Sequence, residues 1–130
     1  MSILIAYYSR RGENYVNGDI VNLPVGNTEV AARMIQKLAG GETFRIDTVK
    51  DWWSTMPMAV YSFLEKYDLS GKTILPFCTH EGSGLGHSVS DIKKICPGTT
   101  VLKGLAIQGG SVHRAEGEIS AWLKATGMIK

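Results

Sequence analysis

The stretch Lys72-Thr73-Ile74-Leu75-Pro76-Phe77-Cys78-Thr79-His80-Glu81-Gly82-Ser83-Gly84-Leu85-Gly86-His87-Ser88-Val89-Ser90-Asp91-Ile92 passes through three kinds of structure in succession. Residues 72–79 are short, largely apolar and rich in β-formers, the pattern of a strand buried on both faces. Residues 80–87 carry Gly82, Gly84 and Gly86 and read as a loop. Beyond it Val89, Ile92 and Ile95 recur at helical spacing, with Ser88 or Ser90 placed to cap the helix and Pro97-Gly98 to end it. Strand, glycine loop and helix in that order form the repeating unit of proteins with a parallel sheet covered by helices.

The same alternation extends both ways along the chain. Residues 3–8 read as a buried strand. Tyr15-Val16-Asn17-Gly18-Asp19-Ile20-Val21 puts Asn-Gly between β-formers, a strong hairpin signal. Asn27 or Thr28 is placed to cap a helix whose stripe is Val30, Ala31, Met34, Ile35 and Leu38, stopped at Gly40-Gly41. Residues 42–47 alternate with period two, as in an edge strand with one wetter face. A loop at Trp52-Trp53-Ser54-Thr55-Met56 precedes a helix from Pro57 that carries Val60, Phe63, Leu64 and Tyr67 and stops near Gly71. A last strand over 100–108 and a helix capped by Ser111, with Ala115, Ile119, Trp122 and Leu123 inward and Gly127 as its stop, complete the chain. The expected fold class is α/β: an open parallel sheet of about four strands with helices on both faces, in a single domain over 1–130.

Composition narrows the functional classes. Hydrophobic residues make up 44% and charged residues 20%, which is ordinary for a folded domain and argues against disorder. The net charge of +2, without a Lys/Arg stripe, does not favour nucleic acid. The apolar run at 2–8 is too short to span a bilayer and lacks the flanks of a signal peptide, so a cytoplasmic protein without a membrane partner is expected. Cys78 and Cys96 form no CxxC pair and read as reduced, partly buried thiols. His80, Glu81 and His87 do not match HExxH, and neither a P-loop nor a GxGxxG after the first strand occurs, so no metal is expected.

Ligands of open parallel sheets bind beyond the carboxyl ends of the strands. Three loops lie there. The first, 9–28, ends in Gly26-Asn27-Thr28 at a helix start, where free N–H groups and the dipole suit phosphate, with Ser9 and Thr28 hydroxyls and Arg10 or Arg11 alongside. An ordinary capped helix is the competing reading. The second, 49–56, offers two indoles suited to a planar ring, against the plainer role of core tryptophans. The third, 79–86, lets backbone N–H and C=O groups approach a ring edge, against a simple strand-to-helix connection.

The segments Ile5-Ala6-Tyr7-Tyr8-Ser9-Arg10, Gly26-Asn27-Thr28, Trp52-Trp53-Ser54-Thr55-Met56-Pro57 and Cys78-Thr79-His80-Glu81-Gly82-Ser83-Gly84 together resemble a bacterial flavodoxin-like family, over nearly the whole chain. The resemblance implies non-covalent FMN and electron transfer between partner proteins, or flavin reduction of small substrates. It implies that Ser9, Arg10, Asn27 and Thr28 hold the phosphate. Trp52, Trp53, Ser54, Thr55 and Met56 would flank the ring, and Thr79, His80, Glu81, Gly82 and Gly84 would line its other side.

Two departures stand out. Only residues 48–51 separate Asp47 from Trp52, so a helix and the central strand of the family, on the order of 30 or more residues, are lacking. The remaining strands are expected in the order 2-1-3-4, with the 72–79 strand beside the first. Alternatively, a partner chain fills the vacancy in a swapped homodimer. Ser54 stands where the family usually has glycine, which bears on redox tuning and on binding, since serine resists positive φ. The competing function is a scaffold remnant without flavin, acting as an oligomeric interaction domain.

Overall fold

A computed structural model describes residues 3–9, 12–17, 19–46, 58–82 and 84–130. Arg10, Ser83 and the segment 47–57, which contains the double-tryptophan loop and Pro57, lie outside the described residues. The elements in chain order are strands β1 (Leu4–Tyr7), β2 (Gly12–Val16) and β3 (Asp19–Leu23), helix α1 (Asn27–Ala39), strand β4 (Glu42–Arg45), helix α2 (Met58–Lys66), and strands β5 (Thr73–Ile74) and β6 (Phe77–His80). Helix α3 (Ser88–Ile95), strands β7 (Thr100–Val101) and β8 (Leu105–Gln108), a 3-10 helix (Gly109–Arg114) and helix α4 (Glu116–Ala125) follow.

The α/β class expected from the sequence is the one observed: parallel strands joined through helices. β1 pairs in parallel with β4, β5 with β7, and β6 with β8. The hairpin β2–β3 stands apart as an antiparallel ribbon. Its register puts Val16 opposite Asp19, and Asn17 takes a left-handed φ of 54°, as the two-residue Asn-Gly turn requires.

The 72–79 and 100–108 strands are each broken once, and the two breaks have one cause. Thr73 faces Thr100, but Phe77 faces Leu105, so the second strand carries one extra residue between them. This β-bulge lies at 102–104. Gly104 lies within the bulge, where a Cβ would come 2.6 Å from Leu85 Cδ1 and 3.1 Å from the Pro76 carbonyl oxygen. The Lys103 carbonyl, pushed out of the ladder, accepts a 2.8 Å hydrogen bond from Trp122 Nε1. Pro76, which has no N–H to give a ladder, sits at the matching break.

Helices α1 and α4 pack together, and the main core lies beneath them: Ile5, Ala31, Ala32, Ile35, Ile107, Val112, Ala115, Ile119, Trp122 and Leu123. Helices α2 and α3 form a second pair, tied by a 2.6 Å bond from Tyr61 Oη to Asp91 Oδ2. Phe63 of α2 also reaches Phe44 of β4, ring centroids 5.5 Å apart.

The strand order differs from the expected one at a single join. β1–β4 and β6–β8 each form a parallel pair, but among the described residues no ladder links β1 to β6. A cavity of about 1430 Å³ runs between them, lined by residues 3–8 on one side and 71–79 on the other. Residues of α2 and α3, among them Phe63, Leu64 and Ile92, also line it.

Four helix boundaries also differ. Neither Ser88 nor Ser90 caps α3: His87 occupies the cap position, and Ser88 is the first helical residue. Neither Asn27 nor Thr28 caps α1: Gly26 occupies the cap position, and Asn27 is the first helical residue. Helix α2 ends at Lys66 rather than near Gly71, because Asp68 accepts the Ser70 N–H at 3.0 Å and starts a turn. Ser111 lies inside the 3-10 helix, and α4 begins only after Ala115. The stops of α1 and α4 fall where expected, with Gly40 at φ 76° and Gly127 at φ 80°.

Candidate functional site

The first and third loops meet at the start of α1. Ser9, two residues past β1, is buried at 6% exposure, and its Oγ accepts the Glu29 N–H at 3.0 Å. This bond from outside the helix replaces the missing side-chain cap. Thr28 Oγ1 lies 2.6 Å from Thr79 Oγ1 at the carboxyl end of β6. Thus Ser9, Thr28 and Thr79 bring three hydroxyls to one helix start, and Tyr8, Thr28, Thr79 and Gly84 line the adjoining end of the large cavity.

A carboxylate in the first turn would repel an anion, and Glu29 is there. Its charge is offset. Arg33, one turn on, forms an ion pair with Glu29 Oε2, and Arg45 Nη1 donates to Oε1 at 3.0 Å. Arg45 Nη2 also donates to the Ser9 carbonyl at 3.2 Å, joining the end of β4 to the first loop. Hydroxyls and helix N–H groups beside a neutralised carboxylate are a donor set that fits a phosphate monoester.

The third loop is shaped by backbone rather than side chains. Gly82, Gly84 and Gly86 have φ of 136°, 62° and 55°, and the Cβ positions of Gly82 and Gly84 are open space. His80 Nδ1 accepts the Gly82 N–H at 2.9 Å, which holds the turn. Cys78 donates from Sγ to the Gly84 carbonyl at 3.5 Å, and burial pushes its thiol up to about 11. It is therefore a neutral thiol, not a nucleophile, at ordinary pH.

Glu81 faces a different partner. Its Oε1 accepts the Asn17 N–H at 2.6 Å, so the hairpin tip docks on the third loop. Gly109 and Gly110, directly after β8, make room for this meeting. A Cβ on Gly109 would lie 2.6 Å from Glu81 Oε2 and 2.8 Å from Asn27 Nδ2, and one on Gly110 would overlap the Asn17 side chain. The sequence marks Asn17 only as a hairpin turn and does not mark Arg45, Gly109 or Gly110 as site residues. A glycine pair at the carboxyl end of a strand was the available signal for two of them.

The structure therefore brings together Ser9, Asn27, Thr28, Thr79, His80, Glu81, Gly82 and Gly84. Arg10, Trp52, Trp53, Ser54, Thr55 and Met56 fall outside the described residues. Among the described residues no cluster of three His, Cys, Asp or Glu side chains is placed to hold a metal, and no helix is long and apolar enough to cross a membrane.

No curated protein and no solved structure matches the chain. A family model described as flavodoxin matches residues 47–126, more than half of the sequence, a span that includes β6, the glycine loop and β8. With parallel strands and intervening helices, the chain belongs to the flavodoxin family.

Proposed function

We propose that the chain binds flavin mononucleotide, with the phosphate at the start of α1, and acts as an electron carrier or small flavin reductase. One observation carries the reading: Ser9, Thr28 and Thr79 converge on a helix N-terminus that opens into a cavity. Membership of the flavodoxin family supports a flavin as the group held there. The bound flavin would supply the one- or two-electron chemistry.

The residues of the chain would do the rest. Thr28 and Thr79 orient hydroxyl donors, and Asn27 adds an amide next to Gly109. Arg33 and Arg45 keep Glu29 from repelling the phosphate. The open Gly82 and Gly84 positions admit a ring edge against backbone groups. In this reading Arg10, Trp52, Trp53, Ser54, Thr55 and Met56 complete the site as the family resemblance implies.

Fluorescence titration of FMN with the purified chain tests this. Saturable quenching is expected, with Thr28→Val weakening binding by roughly tenfold, the loss of one hydrogen bond to a charged group. Unquenched FMN together with an unchanged melting temperature contradicts the proposal.

A further inference from the structure

We infer that the cavity between β1 and β6 is a receptor for one extended β-strand of another polypeptide, inserted parallel to both walls. The direction of the walls follows from α1. Ser9, just past β1, and Thr79, near the end of β6, both bond to the first turn of that helix, so the two strands run the same way.

The register shows which backbone groups face the cavity. Residues of a parallel strand turn alternately to one neighbour and the other. The Ile3 and Tyr7 carbonyls accept N–H groups from Glu42 and Ile46, so Ile3, Ile5 and Tyr7 turn to β4. Leu4 and Ala6 then turn to the cavity. On the other wall the carbonyls of Lys72, Ile74 and Pro76 accept from Thr100, Leu102 and Leu105. Thr73, Leu75, Phe77 and Thr79 are left turned to the cavity. Both walls thus present amides and carbonyls in the same parallel sense, unmatched by any ladder among the described residues. Pro76, which has no amide, turns the other way.

A strand answers both rows at once, because its backbone carries the complementary groups at the same repeat. Lining residues 3–8 span about 20 Å at ~3.3 Å per residue, the reach of a strand of about six residues. Charge sets its composition. The formal charges of the lining, Glu42 and Lys72, lie where β4 begins and just before β5, at the mouth away from α1's start. Between them the walls are neutral and mainly apolar, and Ile35, Phe63, Leu64 and Ile92 close the faces. The occupant is accordingly uncharged along its middle and apolar on both faces. Each described strand already has a neighbour on one edge, so a second copy of this chain offers no unpaired described strand to insert.

Amide exchange of the full chain, followed by NMR without flavin, tests the inference. Alone and monomeric, Leu4, Ala6, Leu75 and Phe77 are expected to exchange roughly tenfold or more faster than Ile5, Tyr7 and Cys78. Adding the blocked peptide acetyl-Thr-Val-Ile-Val-Val-Thr-amide should slow those four amides saturably. The same peptide with Asp replacing its second central residue should not. Slow exchange of the four amides in the free monomer would mean the walls pair directly, and slow exchange in a dimer would assign the cavity to a second copy. Either result, or no protection by the neutral peptide, overturns the inference. None of these readouts depends on flavin, so failure here is separable from failure of the flavin reading.

Discussion

The hydroxyl of Ser9 does two jobs at one atom. It satisfies the Glu29 N–H that α1 leaves unpaired, and in the proposed flavin site it would also face the phosphate. Ser9→Ala removes the side-chain acceptor of the Glu29 N–H at the helix start, and a loss of about 1 kcal/mol is expected in urea denaturation. Ser9→Thr retains the hydroxyl and should recover most of it. Cys78 gives a pH signature. Its thiol titrates near 11 in the folded chain because of burial, against 9.0 when exposed. The unfolded chain therefore loses that proton first, so the thiol's contribution to stability is constant below pH 9 and falls as pH rises from about 9 to about 11. Cys78→Ala should reduce the slope in this window, leaving the part due to Cys96, whose thiol burial also pushes up; an unchanged slope would mean the Cys78 thiol is not a titrating group. Reading Cys78 as an inert buried thiol needed only its place in an apolar strand. The cap from Ser9 was not legible, because it spans chain positions joined only by the fold.

Among the elements, the bulge between β7 and β8 shows how a local defect is absorbed. The freed Lys103 carbonyl is answered by the Trp122 indole from α4. Trp122→Phe retains the ring packing and deletes the donor. It should cost about 1–3 kcal/mol in chemical denaturation, more than the small volume change alone. The hairpin is held at its tip by Glu81. Glu81→Ala should release Asn17, read as faster exchange of the Asn17 amide with little change in melting temperature. Both hairpin strands and their Asn-Gly turn were legible because turn chemistry is local. The bulge was not. Residues 100–108 read as one strand, and only the register against 72–80 exposes the extra residue. Helix starts were misplaced for a related reason. Serine, threonine and asparagine mark caps by type, but α1, α3 and α4 begin without a side-chain cap of their own.

At the scale of the whole molecule the described residues form three parallel strand pairs and one antiparallel hairpin, with the main core under α1 and α4 and a cavity beside β1 and β6. Alternating apolar runs and glycine stops were enough to read the α/β class. The separation of β1 from β6 was not legible, since a pattern of buried strands states which residues are inside but not which strand lies beside which. What survives the separation is the corner where α1 begins, because Ser9 and Thr79 are tied to the helix rather than to each other's strands. The flavin reading depends on that corner gripping a phosphate. The most direct measurement is a calorimetric comparison of FMN with riboflavin, which differ by the phosphate alone. FMN is expected to bind at least roughly tenfold more tightly, with the difference shrinking in Thr28→Val. Equal affinities for the two ligands, or a difference untouched by Thr28→Val, would contradict a phosphate site at the start of α1.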